Sequence, residues 1–323
     1  MTPLRFHLEF IQFLADHRST PLTDFFLVVT TLGTFAVYIG IVTFLYVAWN
    51  KQLAIRLSVL LLLTSALNGL LKLVIKTPRP FVREGTYLTK WAVSSRTAAT
   101  LAAEYSTPSG HAMSAAAFYS YLFQYTRNRY LRALAVAAIL LIGFSRSYLG
   151  VHYGEDVLLG WALGLACSVV AAKYFDVFCE RWRRLSPQFQ AGIAVAASLA
   201  LWLLALALNG GRPAGEPTAI LRDAGFLTGI VIARPLELRL VNFDPRSSTV
   251  AAKISRFLLT CFLVLCTLIA FNLVFRDLSA RGPWIGLVLQ YVRFTAAGVV
   301  NIFLAPLLFT RMGLAKLAPA QKN

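Results

Sequence analysis

Three short strings hold side chains whose types and spacing could bind a phosphate group and transfer it. They occupy residues 72–80 (KLVIKTPRP), 108–111 (PSGH) and 145–156 (SRSYLGVHYGED). Two of the four histidines of the chain lie in them, at positions 111 and 152. Histidine can act as a nucleophile or as a proton donor, and neighbouring cations can neutralise a phosphate without a metal ion. The strings therefore indicate metal-independent phosphoryl transfer through a histidine.

His152 and Asp156 are the candidates for the nucleophile and for the group that orients it. Their spacing of four residues places them one turn apart at the predicted start of a helix. Asp156 could then accept a hydrogen bond from one ring nitrogen of His152 and leave the other nitrogen free to attack. Such a pair alone is typical of a simple hydrogen bond at a helix start, so its meaning depends on the other strings.

The PSGH string predicts an anion site at the start of a helix. Pro108 favours a helix start, and Gly110 allows close approach of the backbone. Free N–H groups and the positive end of the helix dipole attract a phosphate there. His111 would point into this site and could protonate a leaving oxygen. Ser109 alone would be typical of an ordinary helix cap.

Lys72, Arg79 and Arg146 are the cations of the candidate site. Singly, each is typical of a side chain that anchors a helix end at the membrane interface. Together they could bind a phosphate and stabilise the charge that develops in the transition state. The four cysteines show no metal-ligand spacing, and we expect neither a metal nor a cofactor.

These motifs together resemble the type 2 phosphatidic acid phosphatase superfamily. The family pattern is Lys-x6-Arg-Pro, then Pro-Ser-Gly-His, then Ser-Arg-x5-His-x3-Asp, and the chain meets every position between about residues 50 and 175. The resemblance implies a helical core of the phosphatase and haloperoxidase type. It implies a phosphohistidine on His152, held in place by Asp156, and protonation of the leaving group by His111. The phosphate-binding residues that it implies are Lys72, Arg79, Ser109, Gly110 and Arg146.

Composition places the chain in a membrane. Of its 323 residues, 58% are hydrophobic and 14% are charged, whereas about a quarter of the residues of a soluble domain are charged. The formal net charge of +17 could suggest nucleic acid, but the sequence offers no soluble basic domain to bind it. We therefore predict an all-α polytopic membrane protein whose partners are the bilayer and a lipid phosphate, with no nucleic acid.

Apolar segments predict a helical bundle with about nine transmembrane spans. Residues 1–24 predict a short amphipathic helix in the interface, because Phe6, Phe10, Phe13 and Leu14 fall on one helical face. Residues 25–180 form the predicted catalytic core, and residues 187–323 form a C-terminal region of four spans. The predicted spans are 25–49, 53–72, 109–126, 130–148, 156–176, 189–208, 219–236, 254–275 and 285–310.

The distribution of cations predicts the orientation of the bundle. The loops at 49–56, 127–132 and 173–187 fall on one side of the membrane and are rich in lysine and arginine. By the positive-inside rule this side is cytoplasmic. All three motifs then face the periplasm or exterior of the inner or plasma membrane. The polar stretch 81–107 is predicted to form a loop over the site.

Three charged residues of the C-terminal region lie outside the phosphatase motifs and need a separate explanation for their place in apolar segments. Arg293 lies about 12 Å into its predicted span by helical rise, and an intramembrane cation needs a partner or a water-lined cavity. Asp223, next to Arg222, is the predicted partner of Arg293 in a structural ion pair, and contact with a ligand is the alternative. Gly225 and Gly229 predict close helix packing.

The predicted function is a phosphatase that hydrolyses a lipid phosphate or pyrophosphate headgroup at the outer membrane face. Candidate substrates are isoprenyl pyrophosphate, phosphatidylglycerol phosphate, phosphatidate and a sphingoid-base phosphate. Two alternatives keep the site: transfer of the phosphate to an alcohol or sugar acceptor, and hydrolysis of a soluble ester, as by glucose-6-phosphatase. A non-catalytic lipid transporter or binder is a further alternative, but a pure binder needs no His–Asp pair.

Overall fold

Helices form the first half of the chain in the computed structural model, which describes residues 5–82, 92–280 and 282–318. The all-α class predicted from the sequence is confirmed. The helices are α1 (Arg5–Asp16), α2 (Thr20–Thr31), α3 (Phe35–Ala48), α4 (Lys51–Ile75), α5 (Ser95–Ala102), α6 (Gly110–Tyr125), α7 (Arg129–Tyr148) and α8 (Gly154–Arg183), with a 3₁₀ turn at Pro80–Val82.

Helices also form the second half of the chain. A short π-helical segment separates the last two of them, and the one β-bridge among the described residues joins Phe243 to Leu317. The elements are α9 (Pro187–Leu208), α10 (Glu216–Leu240), α11 (Val250–Val274), α12 (Arg276–Ala280), α13 (Pro283–Val299), the π segment (Val300–Leu304) and α14 (Ala305–Arg311).

The number of membrane spans differs from the predicted nine. Within the described part of the chain, six helices are long and apolar enough to cross a membrane, or seven if α2 and α3 form one bent span. These two helices meet at 51°, where a single straight span was predicted over 25–49. The other predicted spans each fall on helical residues, the last of them on α13, the π segment and α14 together. However, α6 has only 16 residues, and α10 contains several charged side chains, so the count of nine is not confirmed.

The amphipathic helix predicted within residues 1–24 corresponds to α1, which packs against α7 and α8. Its buried side chains are Ile11 and Leu14, whereas Phe13 is exposed. Residues 1–4 and the side chain of Phe6 lie outside the described residues. A location of α1 in the membrane interface stays a prediction.

Close packing of α6 against α8 brings two of the motifs together. A Cβ atom at Gly164 would lie 2.3 Å from the carbonyl oxygen of Met113, and one at Gly160 would lie 2.8 Å from that of Ser109. Only glycine permits this approach of the two backbones. The start of α6, with PSGH, therefore lies directly against the start of α8, where His152 and Asp156 are found.

The C-terminal region packs on the N-terminal helices through α10, which runs antiparallel to α4. Three polar contacts follow this interface in register. Their pairs are Lys51 with Glu237, Ser65 with Asp223, and Lys72 with Glu216, at 2.7, 2.5 and 3.0 Å respectively. The first and last pairs are separated by 21 residues on each helix, about 31 Å by helical rise. That distance matches the thickness of the bilayer core, about 30 Å.

The two helices α10 and α13 run parallel and approach closely. A Cβ atom at Gly225 would lie 2.7 Å from the carbonyl oxygen of Tyr291, and one at Gly229 would lie 2.3 Å from that of Thr295. The close packing predicted for these glycines is confirmed. Because the contacts advance along both chains together, α10 and α13 begin at the same end of the bundle.

Candidate active site

The three motifs meet at one end of the bundle, around the ends of α4 and α7 and the starts of α6 and α8. His111 illustrates the convergence, since the charges of Arg146, Arg79 and Lys72 and the ring of His152 all act on it. The structure thus brings together all the side chains that the sequence singled out as one site.

The His152 ring is held by Asp156 as the spacing predicted, although in a different local structure. His152 precedes Tyr153, the N-cap of α8, and Asp156 is the third residue of the helix. The Asp156 Oδ2 atom accepts from the backbone N–H of Tyr153 at 2.9 Å and lies 3.3 Å from His152 Nδ1. The carboxylate therefore caps the helix and orients the imidazole at the same time.

Two hydroxyl groups that the sequence analysis missed complete the carboxylate site. Ser106 Oγ donates to Asp156 Oδ2, and Thr107 Oγ1 donates to Asp156 Oδ1, each at 2.5 Å. Ser106 Oγ also lies 3.3 Å from His152 Nδ1. All four side chains are buried. The signal was present as the Ser-Thr pair directly before PSGH, but only the fold shows that both hydroxyls face Asp156.

The environment of His152 favours its neutral form. The residue lies between α7 and α8, and burial lowers the pKa of its imidazole well below the usual value. The nearby positive charges of Arg79, Arg146 and Lys72 lower this pKa further. With Nδ1 facing Asp156, the other nitrogen, Nε2, has an unprotonated lone pair. A neutral imidazole with an unprotonated Nε2 is the form that can act as a nucleophile.

Arg79 connects His152 to the acidic side of the site. Its Nη1 atom donates to His152 Nε2 at 2.9 Å and to the carbonyl oxygen of Val151 at 3.1 Å. Its Nη2 atom donates to Glu104 Oε2 at 2.8 Å. Pro80 starts the 3₁₀ turn that follows, and Arg79 is buried although it lies beyond the end of α4.

Lys72 lies between two carboxylates that the sequence analysis did not select. Its Nζ atom is 3.0 Å from Glu216 Oε1 and 3.7 Å from Glu104 Oε2. Glu104 belongs to the segment predicted as a loop over the site, and its contacts support that location; residues 83–91 of the loop lie outside the described residues. Glu216 is the first residue of α10, so the C-terminal region contributes directly to the site.

The PSGH turn is fixed from both sides. The backbone N–H of Ser109 donates to the Asp156 carbonyl oxygen at 3.0 Å, and the Ser109 side chain caps α6. Asn68 of α4 donates to the carbonyl oxygen of Pro108 at 3.1 Å. A Cβ atom at Gly110 would lie 3.1 Å from Asn68 Oδ1. The start of α6 is thereby held rigidly beside His152.

Arg146 and His111 lie on the side of the site that the α2–α3 bend closes. Arg146 Nη1 donates to Thr30 Oγ1 of α2 at 2.6 Å. A Cβ atom at Gly33 would lie 3.0 Å from His111 Cδ2. The bend that interrupts the predicted first span is therefore part of the wall of the site.

The predicted ion pair between Asp223 and Arg293 is wrong. Asp223 instead pairs with Arg222, at 3.1 Å from Nε, and accepts from Ser65. Arg293 contacts Asn272 Oδ1 at 3.5 Å. Register explains the difference, because Asp223 faces α4 across the antiparallel interface, whereas α13 lies along another face of α10.

The arrangement can bind a tetrahedral anion and transfer it. Lys72, Arg79 and Arg146 supply positive charge, and the start of α6 supplies backbone donors. The unprotonated Nε2 of His152 faces this cluster, and His111 lies on its other side. Within the described ranges, no group of three or more His, Cys, Asp or Glu side chains could hold a metal ion.

Comparison with known proteins assigns both halves of the chain to family models. Residues 53–180 match the model described as PAP2 superfamily, and residues 221–317 match the PAP2 superfamily phosphatase transmembrane extension. Phosphatidylglycerophosphatase B of Bacillus subtilis is 37% identical over 91 residues, which cover 25% of this chain and 43% of the relative. Lipid A 4'-phosphatase of Porphyromonas gingivalis is 31% identical over 107 residues, which cover 32% and 44%. The chain thus spans less than half the length of these curated relatives.

Two solved structures are similar to part of the chain. The crystal structure of Aquifex aeolicus LpxE is similar with a TM-score of 0.45 and 22% sequence identity. The match covers 53% of this chain and 97% of the LpxE chain. The crystal structure of a transmembrane PAP2 type phosphatidylglycerolphosphate phosphatase from Bacillus subtilis has a TM-score of 0.44 at 22% identity, with 53% and 84% covered.

Proposed function

Because the chain belongs to the PAP2 superfamily, we propose that it is an integral-membrane phosphatase that hydrolyses the phosphate or pyrophosphate headgroup of a lipid. The observation that carries this proposal is the His152 site. One imidazole nitrogen faces a buried carboxylate, the other faces Arg79, and both lie beside a cluster of cations. A lipid binder or transporter has no need of an oriented nucleophile.

In the first step, the bound phosphate accepts hydrogen bonds from Lys72, Arg79, Arg146 and the backbone N–H groups at the start of α6, and Arg79 Nη1 turns from His152 Nε2 to the phosphate. His152 Nε2 then attacks the phosphorus atom, and the bond between phosphorus and the leaving oxygen breaks. The negative charge of the bound phosphate favours the protonated form of His111, which gives its proton to the leaving oxygen, and the lipid alcohol or lipid phosphate departs. Asp156 stabilises the positive charge on the imidazole through Nδ1.

In the second step, water hydrolyses the phosphohistidine. His111, now neutral, accepts a proton from the attacking water, and the phosphorus–nitrogen bond breaks. Inorganic phosphate leaves, and both histidines return to their starting forms. The cations stabilise the additional charge of both transition states, the role that a metal ion plays in many other phosphatases.

The membrane setting and the relatives both support a lipid as the substrate. Both curated relatives are named as lipid phosphatases, one a phosphatidylglycerophosphatase and the other a lipid A 4'-phosphatase. Lys72 and Arg146 lie at the ends of apolar helices, so the phosphate is reached most directly by a molecule whose chains stay in the bilayer. Each buried CH₂ group adds about 0.8 kcal/mol to the binding of such a substrate.

A phosphate-release panel tests the reaction and the substrate class. Purified full-length protein in mixed micelles should hydrolyse lipid phosphates with a kcat/KM at least about 10²-fold above that for glucose 6-phosphate or glycerol phosphate, a difference of only about 2.7 kcal/mol. Activity should persist in excess EDTA. Equal rates for soluble esters and lipids would contradict lateral entry from the bilayer, and loss on chelation that a divalent ion restores would contradict the mechanism.

We further propose that the site faces the periplasm or exterior of an inner or plasma membrane, as the cation distribution predicts. Arg127 and Arg212 are exposed and lie in loops at opposite ends of the bundle. In a background without the four native cysteines, Arg212→Cys should react with an impermeant thiol reagent on intact cells, and Arg127→Cys should not. The reverse labelling pattern would invert the orientation.

A further inference from the structure

A largely apolar cleft with a few polar groups opens in the C-terminal region, apart from the His152 site. Its volume is about 410 Å³, and it lies between α11, α12, α13 and the loop before α10. Rings of Phe271 and Phe275 form much of one wall, whereas Ser279, Gln290 and Arg293 supply polar groups. None of these side chains takes part in the proposed phosphatase mechanism.

Arg293 is the charged group of this cleft and lacks an acidic partner. No carboxylate of the described residues lies within ion-pair distance of it, and its Nε atom is buried without a hydrogen-bond partner among them. Its one hydrogen bond, to Asn272, is long at 3.5 Å. Its guanidinium carbon lies 5.1 Å from the centre of the Phe294 ring. A guanidinium in this setting is costly unless an anion binds it.

The level of the guanidinium fits a lipid headgroup. Arg293 lies ten residues into α13, about 15 Å from the start of the helix. Its side chain nevertheless reaches Asn272, which is about 3 Å from the end of α11. The arginine therefore extends from an apolar depth towards the end of the bundle where the cleft opens, as cationic side chains do at membrane interfaces.

We propose that this cleft binds the headgroup phosphate of an anionic membrane phospholipid. Arg293 forms the ion pair, Gln290 and Ser279 are polar neighbours of the headgroup, and an acyl chain lies against Phe271 and Phe275. The aromatic wall favours a lipid over free phosphate, and the positive charge of Arg293 favours an anionic lipid over a zwitterionic one. The site is independent of the phosphatase reaction, because a phosphodiester lipid offers no terminal phosphate to remove.

Native mass spectrometry of the delipidated full-length protein tests the proposal with phosphatidylglycerol as the probe. Arg293→Gln should weaken binding by at least about tenfold. Gly286→Leu keeps the arginine but fills the cleft, and it should weaken binding similarly; an added Cβ there meets nothing closer than 3.7 Å, so the fold should accept it. Arg276→Gln is the matched control, because it removes an exposed cation from α12 outside the cleft, and it should bind within about twofold of wild type.

Three results would overturn the proposal. One is wild-type affinity in Arg293→Gln, and another is wild-type affinity in Gly286→Leu. The third is displacement of phosphatidylglycerol by excess inorganic phosphate, which would show that the cleft holds a free anion and not a lipid. Phosphatidylcholine should bind more weakly than phosphatidylglycerol to wild type, and Arg293→Lys should recover part of the lost affinity.

Discussion

The two ends of the α4–α10 interface contain the same kind of ion pair in different surroundings. At one end, Lys51 Nζ contacts Glu237 at 2.7 Å. Lys51 also donates to the carbonyl oxygen of Phe243 at 2.7 Å and lies 4.4 Å from the centre of the Phe243 ring. Glu237 is completely buried and forms a second ion pair with Arg234. Each partner is therefore satisfied within the protein.

At the other end, the pair between Lys72 and Glu216 lies in the candidate active site. Lysine has three N–H donors, and here its charged neighbours are two carboxylates, one of them 39% exposed. Of the two carboxylates only Glu216 is within hydrogen-bond distance of Lys72 Nζ, and we propose that the remaining N–H donors bind the substrate phosphate. The comparison shows that the ion pair itself does not distinguish structure from function; what distinguishes them is whether the remaining donors are already used.

The largest expected effect is that of replacing His152, the proposed nucleophile. His152→Ala should abolish turnover, because no phosphohistidine can form. Asp156→Ala should reduce kcat on the order of 10²–10⁴-fold, since the nucleophile remains but loses its orientation. Rapid-quench detection of an acid-labile phosphoenzyme should succeed with wild type and fail with His152→Ala. Substantial turnover by His152→Ala would refute the assignment.

Replacing each of the two lysines of α4 should affect mainly activity in one case and mainly stability in the other. Lys72→Ala should lower kcat/KM on the order of 10²–10³-fold, because a phosphate-binding cation is lost, with a smaller loss of stability, because Glu216 and Glu104 keep some contact with water. Lys51→Ala should leave the kcat/KM of the folded protein nearly unchanged but destabilise it by about 3 kcal/mol, since the completely buried Glu237 is left with Arg234 alone. Thermal melts and kinetics on the same samples check both. A stability loss in Lys72→Ala equal to that in Lys51→Ala would remove the contrast.

The two glutamates of α10 provide the matched test from the opposite helix. Glu216→Gln should lower kcat/KM about tenfold, because Lys72 loses the charge that positions it. Glu237→Gln should lower the melting temperature and leave kcat/KM within about twofold. A higher kcat/KM in Glu216→Gln would instead mean that this carboxylate competes with the substrate phosphate for Lys72.

The pH dependence of kcat/KM should report the lowered pKa of His152. Burial and three cations lower the pKa of His152, so the free enzyme keeps a neutral nucleophile below the ordinary histidine value of about 6.5. The acid limb of kcat/KM should therefore report a pKa below 6.5. The folded state binds fewer protons than the unfolded one in this range, so His152 also reduces stability as pH falls below about 6.5. An acid limb above 6.5 would contradict the neutral imidazole.

The sequence by itself determined the helical class, the family and the candidate residues of the site. Long apolar runs satisfy their backbone polar groups in a membrane as helices, and every predicted span is helical, although the first is divided between α2 and α3. The motif residues lie near helix ends, where short spacings set which side chains start or finish a helix. The pairing of His152 with Asp156 was predictable for this reason, because it depends on four consecutive peptide units.

The tertiary structure alone decided the partners that come from distant segments. Ser106, Thr107, Glu104 and Glu216 enter the site only because α4, α6, α8 and α10 pack in one register, which no local pattern specifies. In the same register, Asp223 contacts Arg222 and Ser65, and Arg293 lies in a cleft without an acidic partner among the described residues. Helix packing depends on which faces interlock, at Gly160 and Gly164 for example. Residues far apart in sequence therefore acquire their roles only when those faces meet.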